Sequence, residues 1–168
     1  MSLLQPIEWN DFKAINWSDP KCRISVYFTV KDAIWLNEWS RLANEVDGLT
    51  VDIKLKLFKF FILKADLVRF KVGAPVYTKS CYRPVKYNKL IGGAKSSAHM
   101  CLGDAVAWDF WANVDLDQDK DGADCDLIKA VLMPELEKLN LRMEDNGKGA
   151  NWVHVDDRVT NGNRFFKP

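Results

Sequence analysis

The chain has 168 residues, 48% of them hydrophobic, with seven Trp, nine Phe and a formal net charge of +1. This length and composition predict one domain with a substantial core. The near-neutral balance argues against nucleic acid or an anionic membrane surface as partner, and no run of ~18 apolar residues is present to span a bilayer.

The first residues, Met1 to Glu8, have neither a basic n-region nor an apolar h-region, so no secretory signal is expected and synthesis in the cytoplasm is inferred. Cys22, Cys81, Cys101 and Cys125 form no C-x-x-C pair and fit no zinc-finger spacing. Without a secretory signal, reduced thiols are expected.

Residues 1–24, with Pro6 and Pro20, read as an irregular N-terminal segment, and a single domain is expected over 25–168. Ser25 to Phe28 reads as a short strand or packing anchor. Thr29-x-x-Asp32 is close to a capping box and predicts a helix. Ile34, Leu36, Trp39, Leu42, Ala43 and Val46 continue at helical spacing, and Gly48 ends it. One long helix is predicted from Thr50 to Gly73, followed by a strand over 75–80. Pro84 is expected to end regular structure, which leaves Arg83 at a strand end and 87–95 as a loop. Gly103 to Phe110 reads as a strand, with Val106, Trp108 and Phe110 towards the core and Ala105, Ala107 and Asp109 on the other face. After an acidic loop, Asp126 is expected to cap a helix that Pro134 kinks. Leu141 to Glu144 and Trp152 to Asp156 read as strands, separated by the Asn146-Gly147 turn. In the second strand Trp152, His154 and Asp156 share a face. The tail to Pro168 is expected on the surface.

The only two histidines, His99 and His154, join Asp109 as a chemically sufficient set for catalytic zinc, which takes three protein ligands and keeps one position open. A lone histidine is more often a hydrogen-bonded or surface residue, so the set alone is weak. Separately, Asp117, Asp119, Asp121 and Gly122 match positions 1, 3, 5 and 6 of a calcium loop. Position 12 is Ile128 rather than Glu, and Asp124 or Asp126 would have to supply oxygens. The plainer reading is a solvated loop.

The strings Tyr82-Arg83-Pro84, Tyr87-Asn88, Ile91 to His99, Gly103-Asp104-Ala105-Val106 and Trp152 to Asp156 resemble the zinc D-alanyl-D-alanine metallopeptidases. That family includes phage murein endopeptidases and VanX-type dipeptidases, and the hedgehog signalling domain shares its fold. Its pattern is S-x-H-x-x-G-x-A-x-D, followed far downstream by W-x-H. The ordered similarity covers about residues 25–168, and Asn163-Arg164-Phe165-Phe166 is similar to the ending of phage-borne members. The resemblance implies an α+β fold with a small, mainly antiparallel sheet and flanking helices. It implies zinc held by His99 and His154, and Arg83 stabilising the substrate carbonyl as negative charge develops. Tyr82, Ser97 and Trp152, inside the matching strings, are assigned to substrate binding. Peptidoglycan is the implied partner, a monomer the expected state, and action on the cell wall would follow release from a phage-infected cell.

Two departures matter. Three residues, Met100, Cys101 and Leu102, separate His99 from Gly103 where the family has two. Counted from Gly103, the third ligand falls on Ala107; Asp109 is the nearest carboxylate on that strand face, ~6.5 Å further along. Asp104 has the wrong parity, and Cys101, although a thiolate can bind zinc, reads better as a buried inert residue. Many members also carry a carboxylate three residues before the last His, and here that position is Asn151. Glu144 or Asp156 could handle protons instead, with Asp156 favoured as an orienting partner for His154. The expected function is hydrolysis of a peptide bond in bacterial peptidoglycan. The alternatives are an inactive relative acting as a wall-binding or virion structural module, and a calcium-binding interaction domain.

Overall fold

The computed structural model describes residues 9–46, 49–115 and 122–167. Helix α1 (Trp9–Ala14) lies within the segment read as irregular, and Phe12 and Trp17 bury against the core. Residues 25–28 form no strand; Phe28 is the anchor, 1% exposed. Thr29 precedes α2 (Val30–Ile34), and the Asp32 carboxylate accepts from both the Thr29 N–H and its hydroxyl at 2.8 Å.

The helix expected to run on towards Gly48 stops after five residues. β1 (Trp35–Leu36) and β2 (Arg41–Leu42) pair antiparallel instead, with Ser40 turning the chain at φ 48°. The cause is tertiary. The Asn37 side chain donates to the Lys79 carbonyl at 2.7 Å, and Trp39 packs edge-on against Tyr87, ring centroids 5.1 Å apart. Asn37, Ser40 and Asn44 are weak helix formers, so little opposes these contacts. Leu36, Leu42 and Ala43 reach the core by another path.

The long helix is present as α3 (Val51–Phe60) and α4 (Asp66–Val72), joined without a break by a π-helical turn over Phe61–Ala65. Thr50 caps it by accepting from the Ile53 N–H at 3.2 Å, and Gly73 ends it at φ 75°. The wide turn lets Asp66 reach residues 25–27, where it accepts from the Ser25 hydroxyl and the Val26 and Tyr27 amides.

β3 (Val76–Ser80) follows as predicted. Pro84 then opens α5 (Val85–Leu90), where a loop was expected: proline is tolerated at a helix start because its missing N–H is not needed there. β4 (Ala107–Ala112) begins four residues later than predicted. α6 (Gly122–Leu132) starts ahead of Asp126, which accepts from the Gly149 amide rather than capping the helix. Pro134 sits in a 3-10 turn that leads into α7 (Leu136–Leu139). β5 (Arg142–Glu144) and β6 (Val153–Asp156) each begin one residue later than predicted, so Trp152 lies just before β6. The tail does not stay on the surface, because β7 (Phe165–Phe166) joins the sheet.

The fold is α+β with a small, mainly antiparallel sheet. Five strands lie in the order β3-β4-β6-β5-β7; β3, β4, β6 and β5 are antiparallel, and β7 runs parallel to β5. One face carries Trp108, Phe110, Met143, Val153 and Val155, all fully buried beneath the α3–α4 helix and α6. Trp108 meets Phe28, Phe60 and Phe61 edge-on, at centroid distances of 5.3, 6.3 and 6.0 Å. This packing fixes the parity of the strands, so Asp109, His154, Arg142, Glu144 and Asp156 must all project from the opposite face. Among the described residues, no helix is long and apolar enough to cross a membrane.

Candidate metal centre

Asp109 and His154 are cross-strand partners on β4 and β6. Ala107, where counting from Gly103 placed the ligand, stands opposite Asp156 instead. A carboxylate at 107 would therefore sit one rung away from His154. The extra residue after His99 falls where Cys101 turns the chain at φ 52°, and the strand is entered only at Ala107.

His99 arrives from a 3-10 turn, Ala98–Met100, and is 3% exposed. Three bonds hold that turn. Ser97 Oγ accepts from the His99 amide at 3.3 Å, the Arg83 amide donates to the His99 carbonyl at 2.8 Å, and His99 Nδ1 lies 2.6 Å from the Cys81 carbonyl. A carbonyl can only accept, so Nδ1 carries a proton, and Nε2 keeps its lone pair in the neutral imidazole. Nε2 faces Asp109 Oδ1 at 3.3 Å, and His154 Nδ1 approaches the same oxygen at 2.6 Å. The other oxygen, Oδ2, accepts from the Arg83 guanidinium at 2.5 Å, and Arg83 Nε donates to Ser80 Oγ at 2.7 Å.

Burial by itself would raise the Asp109 carboxyl, but the charge and hydrogen bonds of the two imidazoles outweigh it and hold the group well below the usual carboxylate range. Burial lowers the pKa of His99 more than Asp109 raises it, which favours neutral imidazole. At 3.3 Å, His99 Nε2 and Asp109 Oδ1 can share a proton or, once that proton is displaced, a metal ion between them. Ligand atoms around tetrahedral zinc lie about 3.3 Å apart, the spacing found here between Nε2 and Oδ1. The three donors lie within 4.8 Å of one another and could hold a metal ion.

The group lies in an open cleft of about 570 Å³, also lined by Arg83, Ser97, Arg142, Glu144, Trp152 and Asp156. Asp156 is 1% exposed and accepts both Arg142 nitrogens, at 2.8 and 2.7 Å, as well as the Arg158 amide at 3.0 Å. Burial pushes its carboxyl up, but these donors more than reverse that and leave it below its ordinary value. With its oxygens so engaged, Asp156 is a poor proton carrier and stands 4.0 Å from His154 Nε2. Glu144 differs: among the described residues its side chain makes no hydrogen bond or ion pair. The β5–β6 register pairs Arg142 with Asp156 and Met143 with Val155, and one step further it carries Glu144 towards His154.

The assignment of Tyr82 to substrate binding is not met. Tyr82 is 6% exposed, belongs to the core and does not line the cleft. Ser97 reaches the cleft, yet its hydroxyl is used to cap the His99 turn. Cys101 is buried, which pushes its thiol up to about 12, in keeping with the inert residue read from the sequence. Asn151 is exposed and outside the cleft. Asp117, Asp119 and Asp121, the calcium reading, lie outside the described residues. Sequence reasoning missed Arg142, although it shares strand parity with Glu144, and missed Lys79, whose ammonium sits 3.5 Å over the Trp152 ring.

An α+β fold that gathers two imidazoles and a carboxylate at the floor of an open cleft is built as a metal-binding hydrolase domain would be. A family model described as peptidase M15 matches residues 48–156, a span that includes His99, Asp109, His154 and Arg83. The chain belongs to that peptidase family. Comparisons with curated proteins and with solved structures found no match.

Proposed function

We propose that this protein is a zinc-dependent peptidase that cleaves a peptide bond in bacterial peptidoglycan. One observation carries the metal: His99, Asp109 and His154 bring their ligand atoms within 4.8 Å of one another on the floor of the cleft. The peptide substrate follows from membership of the M15 family, and the peptidoglycan context from the resemblance to wall-cleaving members.

His99, Asp109 and His154 would hold the ion, which would supply a Lewis acid for the scissile carbonyl and the attacking water. Arg83 fixes Asp109 through Oδ2, and its Nη1, without a partner among the described residues, is available to the carbonyl oxygen as charge develops there. Glu144, the unpaired carboxylate of the cleft, takes the proton from the attacking water and returns it to the leaving amine. Arg142 and Asp156 neutralise each other beside it.

Purified protein should hold about one zinc per chain and release fragments from purified muropeptides. His154→Ala should abolish both while the circular dichroism spectrum stays native. Zinc absent after supplementation would sink the peptidase reading. Zinc bound without cleavage of any muropeptide would favour an inactive, wall-binding relative.

A further inference from the structure

One rung beyond the Asp109–His154 pair, the open sheet face carries aromatic side chains that no step of the reaction uses. Tyr77 on β3 is the cross-strand partner of Trp111 on β4, and their rings stack at a centroid distance of 4.7 Å and an interplanar angle of 25°. The β4–β6 register pairs Asp109 with His154 and Phe110 with Val153. Carried one residue further, it sets Trp111 opposite Trp152. Tyr77 and Trp111 thus form a stacked pair on β3 and β4, with Trp152, in the bend just before β6, next to them along the extended register, about 7 Å from the metal donors. The row is continuous with the cleft, because Trp152 and Lys79 line it and Lys79 covers the Trp152 ring.

Core packing accounts for the aromatics of the other face, where Trp108 and Phe110 are fully buried. It does not account for Tyr77, which is 48% exposed on the open side. The chemistry of the row is mixed. Each ring offers an apolar body with a polar tip, a phenol hydroxyl or an indole N–H, and an ammonium stands among them. A wholly apolar partner would strip water from the Tyr77 hydroxyl without replacing its hydrogen bonds. A pyranose suits both features: its C–H face lies against an aromatic ring, and its hydroxyl and acetamido groups meet the Tyr77 hydroxyl.

We propose that the Tyr77–Trp111–Trp152 row is a glycan subsite, taking an N-acetylated sugar ring of the strand whose peptide occupies the metal cleft. The proposal rests on the peptidoglycan reading and deepens it, since it makes the sugar part of the recognised substrate.

The test compares kcat/KM for a stem peptide and for the same peptide carrying its disaccharide, alongside tryptophan-fluorescence titration with an N-acetylglucosamine oligomer. The wild type should prefer the disaccharide substrate and bind the oligomer. Tyr77→Ala should cut the preference ratio roughly fivefold to tenfold and weaken the oligomer to a similar degree. Trp111→Phe serves as a second variant, because Trp111 also packs partly against the core. A wild-type ratio near one with no oligomer binding overturns the proposal. So does a Tyr77→Ala loss that falls equally on both substrates, which would mark a peptide-binding row. Oligomer binding that depends on Tyr77 in a protein that cuts neither substrate would support the subsite while the peptidase reading fell.

Discussion

The carboxylate of Asp109 divides its two oxygens between two tasks. Oδ2 is held by Arg83, while Oδ1 is left to the two imidazoles. The Cys81 carbonyl sets the tautomer of His99 in the same way that outer partners orient metal-binding histidines generally. The two remaining acids are separated by their partners: Asp156 is committed to Arg142, and Glu144 is not. That contrast yields a prediction. Glu144→Gln should lower kcat by about 10²- to 10⁴-fold while zinc content and KM stay near wild type. Full activity in Glu144→Gln would move the proton transfer to another group. At this scale the sequence was informative about residue types. Two histidines and a carboxylate on one strand face could be read from parity, whereas Tyr82 could not be placed, because its burial is set by neighbours far along the chain.

Among the elements, α5 and the turn after it control how His99 is presented. Asn88, 3% exposed, donates from its side-chain amide to the Ala94 carbonyl at 3.0 Å and so folds residues 91–97 back towards the cleft. Gly93 lies directly under that amide: a Cβ there would come within 2.2 Å of Asn88 Oδ1. Gly93→Ala should therefore displace Asn88, break its bond to Ala94 and cost about 1–3 kcal/mol in urea denaturation. A midpoint identical to wild type would show that the turn can absorb the methyl group. The long helix from Thr50 to Gly73 was legible because its cap, apolar face and terminal glycine agree with one another. The stretch from Ile34 to Val46 was not. Its apolar spacing fits a helix, but the bonds that decide it, Asn37 to Lys79 and Trp39 against Tyr87, reach more than 40 residues away.

The molecule as a whole brings its donors from three places: a 3-10 turn and two strands. None of them is rigid without the sheet and the helices beneath it, so metal binding and folding are linked. Zinc bound to the native state should raise the melting temperature, adding about 2.7 kcal/mol at a free concentration a hundred times Kd. A chelator should reverse the shift, and His99→Ala should remove it. A melting temperature indifferent to zinc would separate the cluster from metal binding without any assay of activity.

The sequence by itself determined the fold class, the parity of β4 and β6, the helix over 50–72 and the family, because alternation, capping and motif residues are local in the chain. The tertiary structure decided whether Asp109, already named from the sequence, reaches the histidines. Parity puts Asp109 and His154 on one face but does not set their level along the strands. The register of β4 against β6 does, and it goes with the packing of Trp108, Phe110, Val153 and Val155 beneath the sheet.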